Sequence, residues 1–357
     1  MGFEIDYLPV GEGEKSGDAI AVRFGNLRGS RDQQVVMVID GGTKDSGGRL
    51  VEHVRGHFGT DRIDLAWCTH ADGDHASGLT VVLEQMEVGR LLMHQPWNHA
   101  EDIRSLFKDG RITDESLGIR IRASLQAAHD LEQVALRRGV PIVEPFQGDS
   151  AYGGCVRVLG PSKEYYQGLI PQYRKTPDPV QAIADMLRKA AYAAGEAIKW
   201  VGETLDFGSE TLAEPSGPNG TSAENNSSLI LLFVLDGHKF LLTGDAGVPA
   251  LEQAADYASA LGLSLTGLRF LHVPHHGSKR NVGPSILNRI KAQIAFISAS
   301  AGGVPKHPSK KVVNALIRRG SIVYATQGIG VSYGEDAPVR YGWSPASTVP
   351  FSNQVEE

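Results

Sequence analysis

Between residues 69 and 79 the chain reads Thr69-His70-Ala71-Asp72-Gly73-Asp74-His75-Ala76-Ser77-Gly78-Leu79, placing four potential metal ligands within six residues. A largely apolar run, 63–68, precedes them, and 78–86 has helical spacing, so the ligands fall in a turn at the carboxyl end of a predicted buried strand. Gathering so many ionisable groups at a strand end is costly without a cation to pair them. One metal could not easily take all four from so short a loop. Two adjacent divalent cations are therefore expected, and imidazole mixed with carboxylate suits zinc, manganese or iron.

Four more segments carry candidates. Leu242-Thr243-Gly244-Asp245-Ala246 ends an apolar strand in a carboxylate suited to bridging two cations, and Val273-Pro274-His275-His276-Gly277-Ser278 sets two histidines after another apolar strand. Pro305-Lys306-His307-Pro308 holds a histidine in a loop, and Asn225-Asn226-Ser227-Ser228 leads into a strand. Residues 35–42 and 240–247 are both apolar strands that end in Asp beside Gly, which predicts two related halves. In such α/β chains the chemistry gathers outside the carboxyl ends of the strands.

Strands are predicted at 3–10, 19–24, 35–39, 63–68, 154–159, 228–235, 239–243, 269–273, 295–298 and 322–325, with Asp236-Gly237 as a hairpin turn. Helices are predicted at 48–58, 78–86, 113–138, 249–261, 284–291 and 309–319. Residues 162–224 break this rhythm: a Tyr- and Pro-rich loop, a helix starting at Pro179 and running near Trp200, and a stretch dense in Pro, Gly, Ser and Asn. They read as a lid inserted into one domain spanning 1–357. Two cysteines, Cys68 and Cys155, cannot staple a chain of 357 residues, and no stretch reaches the roughly 18 apolar residues of a membrane span. A cytoplasmic protein without a membrane partner is expected.

At these motifs the chain resembles the metallo-β-lactamase superfamily of binuclear metallohydrolases, and within it the hydrolase domain of the competence DNA-uptake channel protein ComEC. The superfamily's His-x-His-x-Asp-His appears as His70-x-Asp72-x-Asp74-His75, with the Asp in third place that the competence branch shows. In order follow the branch's other features: Val10-Gly11-Glu12-Gly13 with Gly17-Asp18-Ala19, Ile39-Asp40-Gly41-Gly42, Asn226 with Ser228-Leu229, the Asp245 and His275 segments, and His307-Pro308. The resemblance implies an αββα sandwich with the metals at one edge, in the cleft between the halves. It also implies that His70 and Asp72 bind one metal, that Asp74, His75 and His275 bind the other, and that Asp245 bridges them. A separate third-motif histidine is missing, Asn226 or Ser227 standing near its place, so zinc or manganese is expected with magnesium admitted. Two cations about 3.5–4 Å apart acidify a shared water and neutralise the attacked and departing oxygens, which makes the implied activity hydrolysis. Asp74 is expected to orient that water, and His307 to contact a substrate phosphate or protonate the leaving oxygen. His276 and Asp40 are placed behind the ligands, holding them. His53 and His57, four apart, are read as a solvated helical face, and His94, His99, His129, His238 and His272 receive no role.

Charge bears on the substrate. The whole chain carries −6, yet 257–334 holds ten basic residues and no acidic one, leaving 25 basic against 41 acidic elsewhere. Lys279, Arg280 and Lys306 adjoin the site histidines and, with Asn226, are the expected substrate contacts. A basic track beside two metals suits a phosphodiester backbone, so a nuclease acting on DNA before RNA is expected. Its lid and a protein partner, such as a protease of a defence system, are expected to regulate it. The alternatives are a small-molecule phosphodiesterase or lactonase, and, in another class, a non-catalytic nucleic-acid or metal-binding module.

Overall fold

The computed structural model describes residues 1–11, 16–107, 112–173, 199–216, 220–302 and 307–356. Lys306 and nearly all of the helix expected from Pro179 lie outside them. The first half opens with β1 (Gly2–Tyr7), β2 (Ala19–Gly25) and β3 (Gln34–Gly41), an antiparallel meander. It continues through helix α1 (Lys44–His53), β4 (Arg62–Ile63), β5 (Leu65–Trp67), helix α2 (Gly73–Gln85), β6 (Glu87–Val88), β7 (Leu91–Leu92) and β8 (Ile142–Val143). The second half contains β9 (Ser150–Ala151), β10 (Val156–Gly160), β12 (Ile230–Leu235), β13 (His238–Leu242), β14 (Leu268–His272), β15 (Ala292–Ile297) and β16 (Ile322–Ala325). Between β10 and β12 lies β11 (Trp200–Gly202), and β17 (Val331–Glu335) and β18 (Gln354–Glu356) follow β16.

Two seven-stranded sheets result, ordered β17-β1-β2-β3-β5-β7-β8 and β16-β15-β14-β13-β12-β10-β9. Each is antiparallel at one end and parallel at the other: β3, β5, β7 and β8 run parallel in the first, and β13 to β16 in the second. Period-two alternation explains how the sheets stack. Phe3, Ile5 and Tyr7 of β1 meet Phe240, Phe270 and Phe296 in a core between the sheets. Leu50, Leu79 and Leu131 cover the outer face of the first sheet, and Leu251, Ile286 and Val312 that of the second. The expected αββα sandwich is thus observed.

Several elements differ from the sequence expectation. The strand predicted over 63–68 is split into β4 and β5, because Asp64 turns its carboxylate to Arg31 and the Val36 amide. The helix predicted from 78 begins at Gly73, so Asp74 and His75 ride on its first turn. The predicted 113–138 helix breaks at Leu125 into Asp114–Ser124 and Gln126–Arg138. His53 is not solvated. Its Nε2 lies 2.7 Å from Asp6 Oδ2, within a buried ionic cluster in which Arg23 donates to Glu4 and Arg340 to Asp6. Burial opposes the Asp6 charge, but His53 and Arg340 outweigh it and lower its pKa.

The described ends of the 162–224 insertion dock on different halves. Tyr166, Leu169 and Tyr173 join the core of the first half, while β11 pairs with β18 beside the second. Glu203 accepts from Arg318 at 2.9 Å and Glu210 from Arg319 at 2.7 Å. Where the expected helix reaches Trp200, the chain is a strand.

Candidate metal centre

The carboxyl ends of β3, β5, β13 and β14 meet at one edge of the sandwich, and the Leu229 amide donates to Thr69 O at 2.9 Å to join the two halves there. His70 follows β5, His75 sits on the first turn of α2, Asp245 follows β13, and His275 and His276 follow β14. The backbone is bent hard to bring them inward: Asp40, His275 and His276 have φ of 55°, 48° and 58°. Left-handed conformations cost non-glycine residues energy and cluster at functional sites. Gly244, beside Asp245, has φ 49°, and a Cβ there would stand 2.9 Å from Thr69 Oγ1, so a glycine is required.

The rings converge with one nitrogen pinned and the other bare. Asp40, wholly buried, accepts from the Thr69 amide at 2.8 Å, from Thr69 Oγ1 at 2.6 Å and from His75 Nδ1 at 2.7 Å. Since Thr69 Oγ1 spends its hydrogen on Asp40, it accepts from His70 Nδ1, 3.2 Å away. His276 Nδ1 donates to Ser298 O at 2.8 Å. The Nε2 atoms of His70, His75 and His276 are left buried without a partner, as is Asp245 Oδ1. His75 Nε2 lies 3.5 Å from Asp245 Oδ1, and Nε2 of His70 and of His275 lie 3.9 and 3.7 Å from Asp245 Oδ2.

Three overlapping groups each keep their ligand atoms within 4.8 Å of one another: His70, His75 and Asp245; Asp74, His75 and His276; and Asp245, His275 and His276. Bare imidazole nitrogens facing a carboxylate, with every Nδ1–H tied behind, are the arrangement of a divalent-metal site. The residues present therefore fit two cations. Burial works against the Asp245 charge, yet His275, His75 and His276 outweigh it and hold its pKa well below the usual carboxylate range. Burial likewise opposes charge on His75, and Asp245 and Asp40 override it and raise its pKa well above 6.5. These groups thus draw positive charge to the place a cation would take.

The metallo-beta-lactamase superfamily model matches residues 31–301. The chain belongs to the metallo-beta-lactamase superfamily. It is similar to ComE operon protein 3 of Bacillus subtilis (strain 168), 30% identical over 116 residues, which are 32% of this chain and only 14% of that relative. Among solved structures it is similar to a variant of the CmlA beta-hydroxylase, at 10% identity with a TM-score of 0.43, covering 93% of this chain and 53% of that one. A metallo-beta-lactamase from Cronobacter sakazakii is 11% identical with a TM-score of 0.32, covering 81% and 74%.

Within this superfamily hydrolase, the expected site residues divide. His70, Asp74, His75, Asp245 and His275 come together. Asp72 caps α2 without spending its side chain on a capping bond, and its Oδ2 stands 3.8 Å from His70 Nε2. His276, placed behind the ligands by the sequence, has a left-handed backbone and a buried Nε2 that falls in two of the groups. Asn226, expected to touch substrate, accepts from the Gly247 amide at 3.2 Å and so holds the loop that follows Asp245. His307 lies with its ring centroid 6.0 Å from His275 and 6.3 Å from His276. Burial, then His276 and His275, push it down to about 3, so its ring is neutral near pH 7 and suits a substrate contact better than an acid. Arg280 donates to Gly220 O at 2.7 Å, and Lys279 is half-buried on the same loop.

The basic track is partly neutralised. Besides the Arg318 and Arg319 pairs, Arg289 meets Asp256 at 2.6 Å and Arg269 lies 3.9 Å from Glu335. Sequence reasoning also missed residues beneath the rings. Asp18, buried, stands 3.3 Å from His272 Nε2, 3.8 Å from His276 Nδ1 and 4.0 Å from His75 Nδ1. The Gly17-Asp18-Ala19 motif was its signal, and Thr69 and Asn225 stood inside segments already singled out, whereas Asn281 carried none.

Proposed function

We propose that this hydrolase cleaves phosphodiesters at a two-cation centre, with nucleic acid, DNA before RNA, as its substrate. The observation that carries the reading is the convergence of the bare Nε2 atoms of His70, His75 and His276 on Asp245. Two divalent cations held there supply Lewis acidity and an acidified water. The histidine-rich set favours zinc or manganese over magnesium. Asp245 belongs to both sets of histidines and would be shared by two cations, while half-exposed Asp74 would orient a water. Neutral His307 would hydrogen-bond the substrate, and Lys279 and Arg280, which follow the His275-His276 turn in sequence, would meet its charge.

A second reading, a small-molecule phosphodiesterase or lactonase, is favoured by the pairing of Arg289, Arg318 and Arg319 with carboxylates. One experiment separates the two. Purified protein is incubated with labelled single- and double-stranded DNA and RNA, a chromogenic phosphodiester and a lactone, across Zn²⁺, Mn²⁺ and Mg²⁺, with Asp245→Ala as control. Cleavage of nucleic acid by wild type alone supports the nuclease. Cleavage confined to the small esters transfers the reading to the second, and metal binding without any turnover overturns both.

A further inference from the structure

We propose that Asn281 decides which nitrogen of His275 carries the proton, and is thereby a positioning residue for the metal centre. This rests on the reading of His275 as a ligand. Two side-chain amides approach the same ring atom: Asn281 Oδ1 lies 2.9 Å from His275 Nδ1, and Asn225 Nδ2 lies 3.0 Å from it. Their demands conflict. An amide oxygen needs Nδ1 to carry hydrogen, while an amide nitrogen needs it bare.

Asn281 settles the conflict. It is wholly buried, and its Nδ2 donates to Asp245 O at 2.7 Å and Ala246 O at 3.4 Å. Backbone carbonyls only accept, so reversing this amide would set its oxygen against two carbonyl oxygens and lose both bonds. Its carbonyl therefore faces His275, and Nδ1 is the protonated nitrogen. Asn225 can yield, because its Oδ1 is met by the Ser222 hydroxyl at 2.9 Å, a group that either donates or accepts. Reversed, Asn225 also accepts from the Nδ1–H.

His275 Nε2 then holds a lone pair, 3.7 Å from Asp245 Oδ2. Thr69, Asp40 and Ser298 likewise hold Nδ1 of His70, His75 and His276 and turn each Nε2 toward the site. Asn281 does more than they do, since the amide that fixes the ring also grips the backbone of Asp245 and Ala246. One side chain thus sets both the direction of one ligand and the place of another.

The test reads the tautomer directly. In metal-free protein with ¹⁵N-labelled histidine, His275 is expected as the Nδ1–H form. Asn281→Leu, which removes the acceptor, is expected to shift it toward Nε2–H and to weaken Zn²⁺ binding, read by competition with a chelator, by about 10–100-fold. Asn225→Ala removes only the amide that yields, so the Nδ1–H form is expected to persist in it, which keeps the proposal testable even if Asn281→Leu fails to fold. Wild type showing Nε2–H, or Asn281→Leu leaving the tautomer unchanged, overturns the proposal. An Nδ1–H wild type that binds no Zn²⁺ would instead overturn the metal reading and leave Asn281's hold on the ring standing.

Discussion

Asp40 Oδ2 lies 2.7 Å from His75 Nδ1, and both side chains are sealed from solvent. The same carboxylate takes both hydrogens of Thr69, so it aims two histidines at once. Asp40→Asn puts an NH₂ group where only acceptors fit. Metal affinity is expected to fall about 10–100-fold, measured by chelator competition. Unchanged affinity would remove Asp40 from the centre's supports.

Asp245 faces His70, His75 and His275 at 3.5–3.9 Å. Asp245→Ala is expected to abolish hydrolysis and to lose at least one bound ion per chain, counted by elemental analysis. Chelating the metal from wild type is expected to lower its melting temperature, because a ligand present at 100 times its Kd adds about 2.7 kcal/mol of stability. The same treatment of Asp245→Ala is expected to move its melting temperature less.

His94 provides a pH-dependent term away from the metals. Its Nε2 donates to Pro145 O at 2.7 Å, and burial holds its pKa at about 4. An unfolded histidine titrates near 6.5, so the unfolded chain binds the extra proton between these values. Its contribution is whole above about 6.5, declines as pH falls toward about 4 and then levels, spanning on the order of 3 kcal/mol. Urea midpoints at several pH values should fall less steeply for His94→Asn; parallel curves would refute this origin.

Arg318 and Glu203 have fully buried side chains 2.9 Å apart. Removing one partner of a buried pair strands the other's charge, so Arg318→Ala is expected to cost about 3–5 kcal/mol, read by denaturant unfolding. Because the guanidinium is already engaged, KM for any nucleic-acid substrate is expected to stay unchanged.

The ligand-bearing loops were legible because each follows an apolar run and collects residue types that a strand end tolerates poorly without a cation. The hairpin at Asp236-Gly237 was legible for a similar reason, its φ values of 49° and 80° being what that pair favours. What escaped depends on backbone direction and on distant partners. Nothing in the letters of His275-His276 says that two successive residues turn left-handed, and this changes which faces the ligand atoms point to. Likewise the basic residues of 257–334 are visible as a run, but Glu203 and Glu210, which neutralise Arg318 and Arg319, come from well before it, and Asp256, which meets Arg289, stands just ahead of it.

The pairing of β1 with β17, Phe3 opposite Glu335, also bears on the order of events during synthesis. One edge of β1 stays open until β17 has been made, and the histidines after β5 wait for Asp245 and the β14 loop. Such distant pairings are slow to form and leave hydrophobic edges exposed meanwhile. A nascent chain that ends before residue 275 would carry His70 and His75 without the β14 loop, so the proposed metal centre would be complete only after β14 has been made.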